Sequence, residues 1–123
     1  MRIALIGAGA FGIKHLDALA RIDDVEVTAV VSRRLEQARE VAANYGAGFA
    51  GTELADVLVR DDVDAVILST PTQMHATQAI ATMRAGKHVQ VEIPLADSWA
   101  DALAVDAVQR ETGRVCMVGH TRR

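Results

Sequence analysis

Aromatic side chains are scarce in this sequence: one Trp, one Tyr and two Phe among 123 residues, 3% in all. Without large rings, the core must come from Ala, Val, Ile and Leu. Hydrophobic residues still make up 50% of the chain, a balance that suits a parallel sheet covered by helices. The single cysteine, Cys116, has no internal partner, and its neighbours Val115, Met117 and Val118 predict a buried thiol on a strand. The two prolines, Pro71 and Pro94, follow apolar runs instead of interrupting them. No apolar run approaches the ~20 residues of a membrane span. The N-terminus enters a strand pattern at once, without the basic region and cleavage site of a signal peptide. These absences predict a cytoplasmic protein with no membrane partner. A net charge of -3 offers no basic surface for nucleic acid. The four histidines lack metal-ligand spacing, and Asp61, Asp62 and Asp64 read as a solvated connector, so no metal is expected. No repeat or linker divides the chain, and its length fits one domain.

What the sequence does contain begins at Arg2. The segment RIALIGAGAFGIKH runs from an apolar strand pattern, Ile3 to Ile6, into Gly7, Gly9 and Gly12, and then into an amphipathic helix pattern. In this G-x-G-x-x-G spacing Gly7 allows the tight turn, Gly9 admits a pyrophosphate to the backbone, and Gly12 lets helix approach strand. Phosphates are then expected at the helix N-terminus, against the amides of Ala10 and Phe11, where free N–H groups and the positive dipole end point outward. A methyltransferase glycine loop is the nearest competitor, and the third glycine in register argues against it.

The remainder alternates strand and helix. Ile13, Leu16 and Ala20 recur at helical spacing, and Val25 to Val31 reads as a strand. Ser32 is expected to cap a helix whose face is Leu35, Ala38, Ala42 and Tyr45 and which stops at Gly46. Ala47 to Ala50 forms a short strand, and Thr52 caps a brief helix carrying Leu54 and Leu58. Ala65 to Leu68 is an apolar strand; Thr70, Pro71 and Gln73 then have the spacing of an N-cap, a first helical residue and a reciprocal cap, ahead of the buried face Ala76, Ile80 and Met83. Lys87 to Glu92 is the next strand. Ser98 and Asp101 resemble another capping box, with Trp99, Leu103 and Ala107 as the inner stripe of a helix closed by Gly113. Val115 to Val118 is the last strand.

Such alternation predicts an α/β fold: a doubly wound parallel sheet of the Rossmann type, three layers α/β/α, with strand order 3-2-1-4-5-6. Ligands of such sheets lie outside the carboxyl ends of the strands. That rule gathers Gly7 to Gly12, Ser32 to Arg34, Ser69 to Thr72, Glu92 to Pro94 and Gly119 to Arg123 along one edge. About 20 positions beyond the glycine loop, where an NAD site places a carboxylate for the ribose hydroxyls, stand Ser32, Arg33 and Arg34. A hydroxyl and two guanidinium groups suit a 2′-phosphate, so NADP is the expected cofactor and NAD the weaker ligand. The plainer alternative is that Arg33 and Arg34 begin an exposed helix.

Four stretches, GAGAFGIKH with His15 three places after the last glycine, VDAVILSTPTQMHATQAI, AGKHVQVEIP and VCMVGHTRR, resemble the glucose-fructose oxidoreductase and inositol dehydrogenase family over nearly the whole chain. The resemblance implies that residues 1–123 form the dinucleotide-binding domain of an oxidoreductase whose C-terminal substrate domain lies outside this chain. It also implies that Ser69, Thr70, Pro71, Thr72, Glu92 and Pro94 hold the nicotinamide half, and that His75 lines the cofactor cleft. His15 and His88 are read as structural. Family members carry Glu-Lys-Pro where this chain has Glu92, Ile93 and Pro94, and that lysine binds the substrate hydroxyl and assists proton transfer. An isoleucine does neither. The longer run HVQVEIPLADSWADA, with MVGHTRR, is similar to a branch of the family that oxidises the cyclic hemiacetal of an aromatic ring-cleavage product with NADP, and Ile93 belongs to that likeness. The substrate is then a small anionic dicarboxylate, with Arg122 and Arg123 as its cationic partners, or else as a solvated tail. Glu92 and His120 are the candidate acid–base residues.

The intact protein is expected to be a homo-oligomeric dehydrogenase, and the 123 residues alone to bind cofactor without turnover. A substrate domain adds roughly 150 to 200 residues. Two alternatives stand beside this reading: a non-catalytic NAD(P)-binding sensor, and a sugar or polyol dehydrogenase, the latter weakened by Ile93.

Overall fold

A computed structural model of the chain describes residues 1–92 and 94–119. Six strands, β1 (Arg2–Ile6), β2 (Glu26–Val31), β3 (Phe49–Gly51), β4 (Ala65–Leu68), β5 (His88–Glu92) and β6 (Cys116–Gly119), form one sheet in the order β3-β2-β1-β4-β5-β6. Every neighbouring pair is parallel. Between them lie α1 (Ala10–Leu19), α2 (Leu35–Tyr45), α3 (Leu54–Leu58), α4 (Thr72–Arg84) and α5 (Trp99–Thr112). The doubly wound architecture and its strand order are those expected.

Alternation along the strands divides the core into two layers, because successive side chains point to opposite faces of a sheet. Ile3, Leu5, Val30 and Ile67 pack on one face with Leu16 of α1 and Ala38, Val41 and Ala42 of α2. Ala4, Ile6, Val31, Val66, Leu68, Val89 and Val91 pack on the other with Val57 of α3, Ala79 and Met83 of α4, and Val105 and Val108 of α5. With both faces covered, β1 and β4 are nearly continuous apolar runs. Small side chains on the helices let them lie close to the sheet, and this substitutes for missing aromatic bulk.

Several local expectations are corrected. Ser32 caps nothing: α2 starts three residues later with Arg34 at the N-cap position, and the buried Ser32 hydroxyl bonds to Gln37 instead. Thr52 is likewise displaced by Glu53, and Thr70 by Pro71, neither of which supplies a side-chain cap. Only Ser98 caps as expected, its hydroxyl accepting from the Asp101 amide at 3.1 Å. The inner stripe of α5 is rotated from the expected one. Trp99 is 78% exposed and Leu103 50%, whereas Val105 and Val108 are buried. Both stripes are apolar at helical spacing, and the smaller side chains face inward where α5 packs on α4 and the sheet. Cys116 packs against the core but is half-buried, and its neighbours Val115 and Met117 are exposed because β6 is an edge strand. Burial pushes its thiol pKa up.

The aspartate connector pairs with arginines. Asp62 accepts from Arg60, and Asp64 from the side chain and amide of Arg2. Among the described residues no group of side chains is placed to hold a metal ion. None of their helices is long and apolar enough to cross a membrane. His88 is structural as expected, accepting through Nδ1 from the Val115 amide at 2.9 Å.

Candidate functional site

The carboxyl edge of the sheet opens at the end of β1. Gly7 has φ +98°, and a Cβ there would stand 2.2 Å from the Ser69 carbonyl oxygen, so no other residue fits between the exits of β1 and β4. On Gly12 a Cβ would stand 2.2 Å from the Gly7 carbonyl oxygen and 3.2 Å from Leu5. Helix α1 can press against its own strand only because that atom is missing. At Gly9, among the described residues, a Cβ would meet nothing within 4 Å. Thus two of the three glycines are demanded by the protein's own packing, and the third faces open space where a ligand backbone fits.

Gly9 is the N-cap residue of α1, and neither a side-chain cap nor an acidic residue occupies the first turn. The amide donors at that end are therefore presented outward, with the positive end of the helix dipole behind them. This is the donor set that a pyrophosphate requires.

A cavity of about 590 Å3 spreads from this point. The exit of β1 lines it with Ile6 to Gly9, and the exit of β2 with Val31 to Arg34. Thr52 to Leu54 come from the exit of β3, and Ser69 to Pro71 from that of β4. Gln37, Gln73, Met74 and Gln78 complete the wall. Arg33 and Arg34 are exposed at the β2 side. Behind them a short relay fixes the wall: Ser32 Oγ donates to Gln37 Oε1 at 2.5 Å, and Gln37 Nε2 donates to the Ala8 carbonyl at 3.2 Å. Ser32 is 5% exposed, so it offers the cavity less than its position in the sequence suggests, and the charged residues lining that end are Arg33, Arg34 and Glu53. On the β4 side Thr70 Oγ1 donates to Gln78 Oε1 at 2.6 Å.

His75, expected to line the cleft, is buried and not among the described residues lining the cavity. Its ring is buried at 1% exposure, with Nδ1 2.8 Å from the Pro94 carbonyl and Nε2 2.8 Å from the Thr70 carbonyl, so it joins the exits of β4 and β5. Ala10, Phe11, Thr72, Glu92 and Pro94 are not among the described residues lining the cavity. Ala10 and Phe11 lie in the first turn of α1, where Lys14 Nζ stands 5.3 Å from the Phe11 ring centroid. Glu92 ends β5, and its Oε1 contacts Nε2 of His15 on α1. That pairing escaped the sequence reading, because 77 positions separate the two residues. Ile93, His120, Arg122 and Arg123, which carry the expectations about the missing lysine, the acid–base histidine and the substrate arginines, lie outside the described residues.

Glycine loop, outward amides and a cavity between β2 and β4 form a dinucleotide site, and residues 1–120 match the model of the oxidoreductase family with an NAD-binding Rossmann fold. The chain belongs to that family. Among its family relatives, 4-carboxy-2-hydroxymuconate-6-semialdehyde dehydrogenase of Sphingobium sp. (strain NBRC 103272 / SYK-6) is 72% identical over 123 residues, 100% of this chain and 39% of the relative. The NADP-dependent scyllo-inositol 2-dehydrogenase of Bacillus subtilis (strain 168) is 34% identical over 117 residues, 95% of this chain and 36% of the relative. Among solved structures, the 3-ketoreductase KijD10 of Actinomadura kijaniata, in complex with TDP-benzene and NADP, superposes with a TM-score of 0.90 at 35% identity. It is covered over 37% of its length by 96% of this chain. The chain thus spans less than two-fifths of the family members it matches.

Proposed function

We propose that this chain is the nucleotide-binding part of an NADP-dependent dehydrogenase that oxidises the cyclic hemiacetal of 4-carboxy-2-hydroxymuconate-6-semialdehyde to 2-pyrone-4,6-dicarboxylate, in the protocatechuate 4,5-cleavage route. One observation carries the cofactor half of this reading: the open space at Gly9, continuous with a cavity edged by Arg33 and Arg34. The 72% identity to the Sphingobium dehydrogenase supports the substrate half. In this reading the α1 amides hold the pyrophosphate, Arg33 and Arg34 the 2′-phosphate with charge-assisted bonds, and the exits of β4 and β5 the nicotinamide half. Bound there, the nicotinamide supplies the hydride acceptor, and the residues around it supply orientation and electrostatics.

Oxidation of the hemiacetal removes a hydride from carbon and a proton from the hydroxyl, leaving the lactone carbonyl. Ile93 takes no part in moving that proton, which leaves Glu92 and His120 as the candidate acceptors, with Arg122 and Arg123 as the candidate partners of the substrate carboxylates. The reading includes a homo-oligomeric intact protein in the cytoplasm. A sugar or polyol dehydrogenase leans on the family lysine that Ile93 replaces, and although the same replacement suits a sensor without turnover, the 72% identity to a dehydrogenase favours turnover.

Steady-state assay of the intact protein tests this reading. NADP reduction should be fast with the protocatechuate cleavage product and negligible with a panel of sugars and polyols. The reverse ranking refutes the substrate assignment.

A further inference from the structure

At the carboxyl edge the side chains of His15 and Glu92 meet across two strands of the sheet. His15 lies three residues past Gly12 in α1, and Glu92 is the last residue of β5, two strands away from β1. Their side chains retain only 15% and 14% exposure and meet through Nε2 and Oε1. Half-burying a histidine against a carboxylate costs desolvation that an apolar pair avoids, and neither residue belongs to the two apolar layers of the core.

The position of the pair indicates its role. A doubly wound sheet receives the two halves of a dinucleotide on either side of β1. Arg33 and Arg34 mark the β2 side as the adenosine side, which leaves the exits of β4 and β5 for the nicotinamide side. The helix that presents amides to the pyrophosphate is therefore joined, through His15, to a carboxylate at the opposite end of the ligand. We propose that His15 is a positioning residue: it fixes the Glu92 carboxylate at the nicotinamide side and ties that geometry to the phosphate seat of α1. The proposal rests on the cofactor reading given above. A histidine N–H directed at the carboxylate limits its rotation, and a carboxylate held still loses less freedom when the nicotinamide carboxamide meets it.

The test compares two ligands in the full chain by calorimetric titration: NADP, and 2′-phospho-ADP-ribose, which has every part of NADP except the nicotinamide. His15→Ala should weaken NADP by about tenfold, the scale of one hydrogen bond to a charged group, and leave 2′-phospho-ADP-ribose within about twofold. Glu92→Gln should show the same split, and His15→Gln, which keeps an N–H donor, should recover part of the loss. A residue that merely supports the fold weakens both ligands together, so equal losses overturn the proposal, as does unchanged NADP affinity. If His15→Ala fails to fold, as a thermal melt would show, the same split is required of Glu92→Gln alone. Failure of the unmodified chain to bind either ligand overturns the cofactor reading itself, and the proposal with it.

Discussion

The carbonyl oxygen of Gly7 lies 2.2 Å from where a Cβ on Gly12 would stand. No side-chain movement relieves that contact, since one of the partners is main chain. Gly12→Ala must therefore push α1 off β1, and a loss of about 2 to 4 kcal/mol in denaturant unfolding is expected. Gly9→Ala is the matched control. Its φ of −78° suits alanine and its added methyl meets nothing within 4 Å among the described residues, so stability should stay within about 0.5 kcal/mol while NADP affinity falls. Equal destabilisation by the two substitutions would contradict the division of labour among the glycines.

On the proposed reading, Arg33 and Arg34 decide between the two dinucleotides. Replacing both by alanine should reduce NADP affinity tenfold or more, roughly the worth of one or two charge-assisted bonds, and leave NAD nearly unchanged. Raising the salt concentration should weaken NADP in the unmodified chain and have less effect on the double variant. Competition titrations with both cofactors check each outcome.

The rotated stripe of α5 predicts opposite results at two apolar residues. Trp99→Ala, at a side chain 78% exposed, should change stability by no more than about 0.5 kcal/mol. Val105→Ala, at 2% exposure, should cost about 2 kcal/mol. Thermal or denaturant melts of the two variants give the comparison.

The guanidinium of Arg2, through its hydrogen bonds to Asp64, holds that carboxyl below its usual value of 3.8. A folded-state value below the unfolded one adds stability that is fully present above about pH 3.8 and disappears as pH falls through the lower, folded value. Asp64→Asn should accordingly lower the melting temperature slightly at neutral pH, because the pair is solvent-exposed, and the deficit should close in acid. A deficit that grows on acidification would contradict the assignment.

Most of the architecture was legible because apolar runs of four to six residues, glycine stops and one phosphate-loop spacing agree with each other along the chain. Residues facing two demands were harder to read. Ser32 and Thr70 have the chemistry of helix caps, but each sits at a strand exit beside a glutamine, and each hydroxyl goes to that glutamine on the cavity wall. Helix periodicity could not choose between Trp99 and Val105 because both stripes of α5 are apolar. His15 looked structural because nothing local links it to Glu92; only the parallel topology brings them together.

The most direct measurement is calorimetric titration of the chain with NADP and with NAD. Saturable binding at one site per chain, tighter for NADP and lost when bulk is added at Gly9 by Gly9→Val, is the predicted result. No binding of either cofactor, or binding that is indifferent to Gly9→Val, would contradict the claim that a diphosphate rests on the amides at the start of α1.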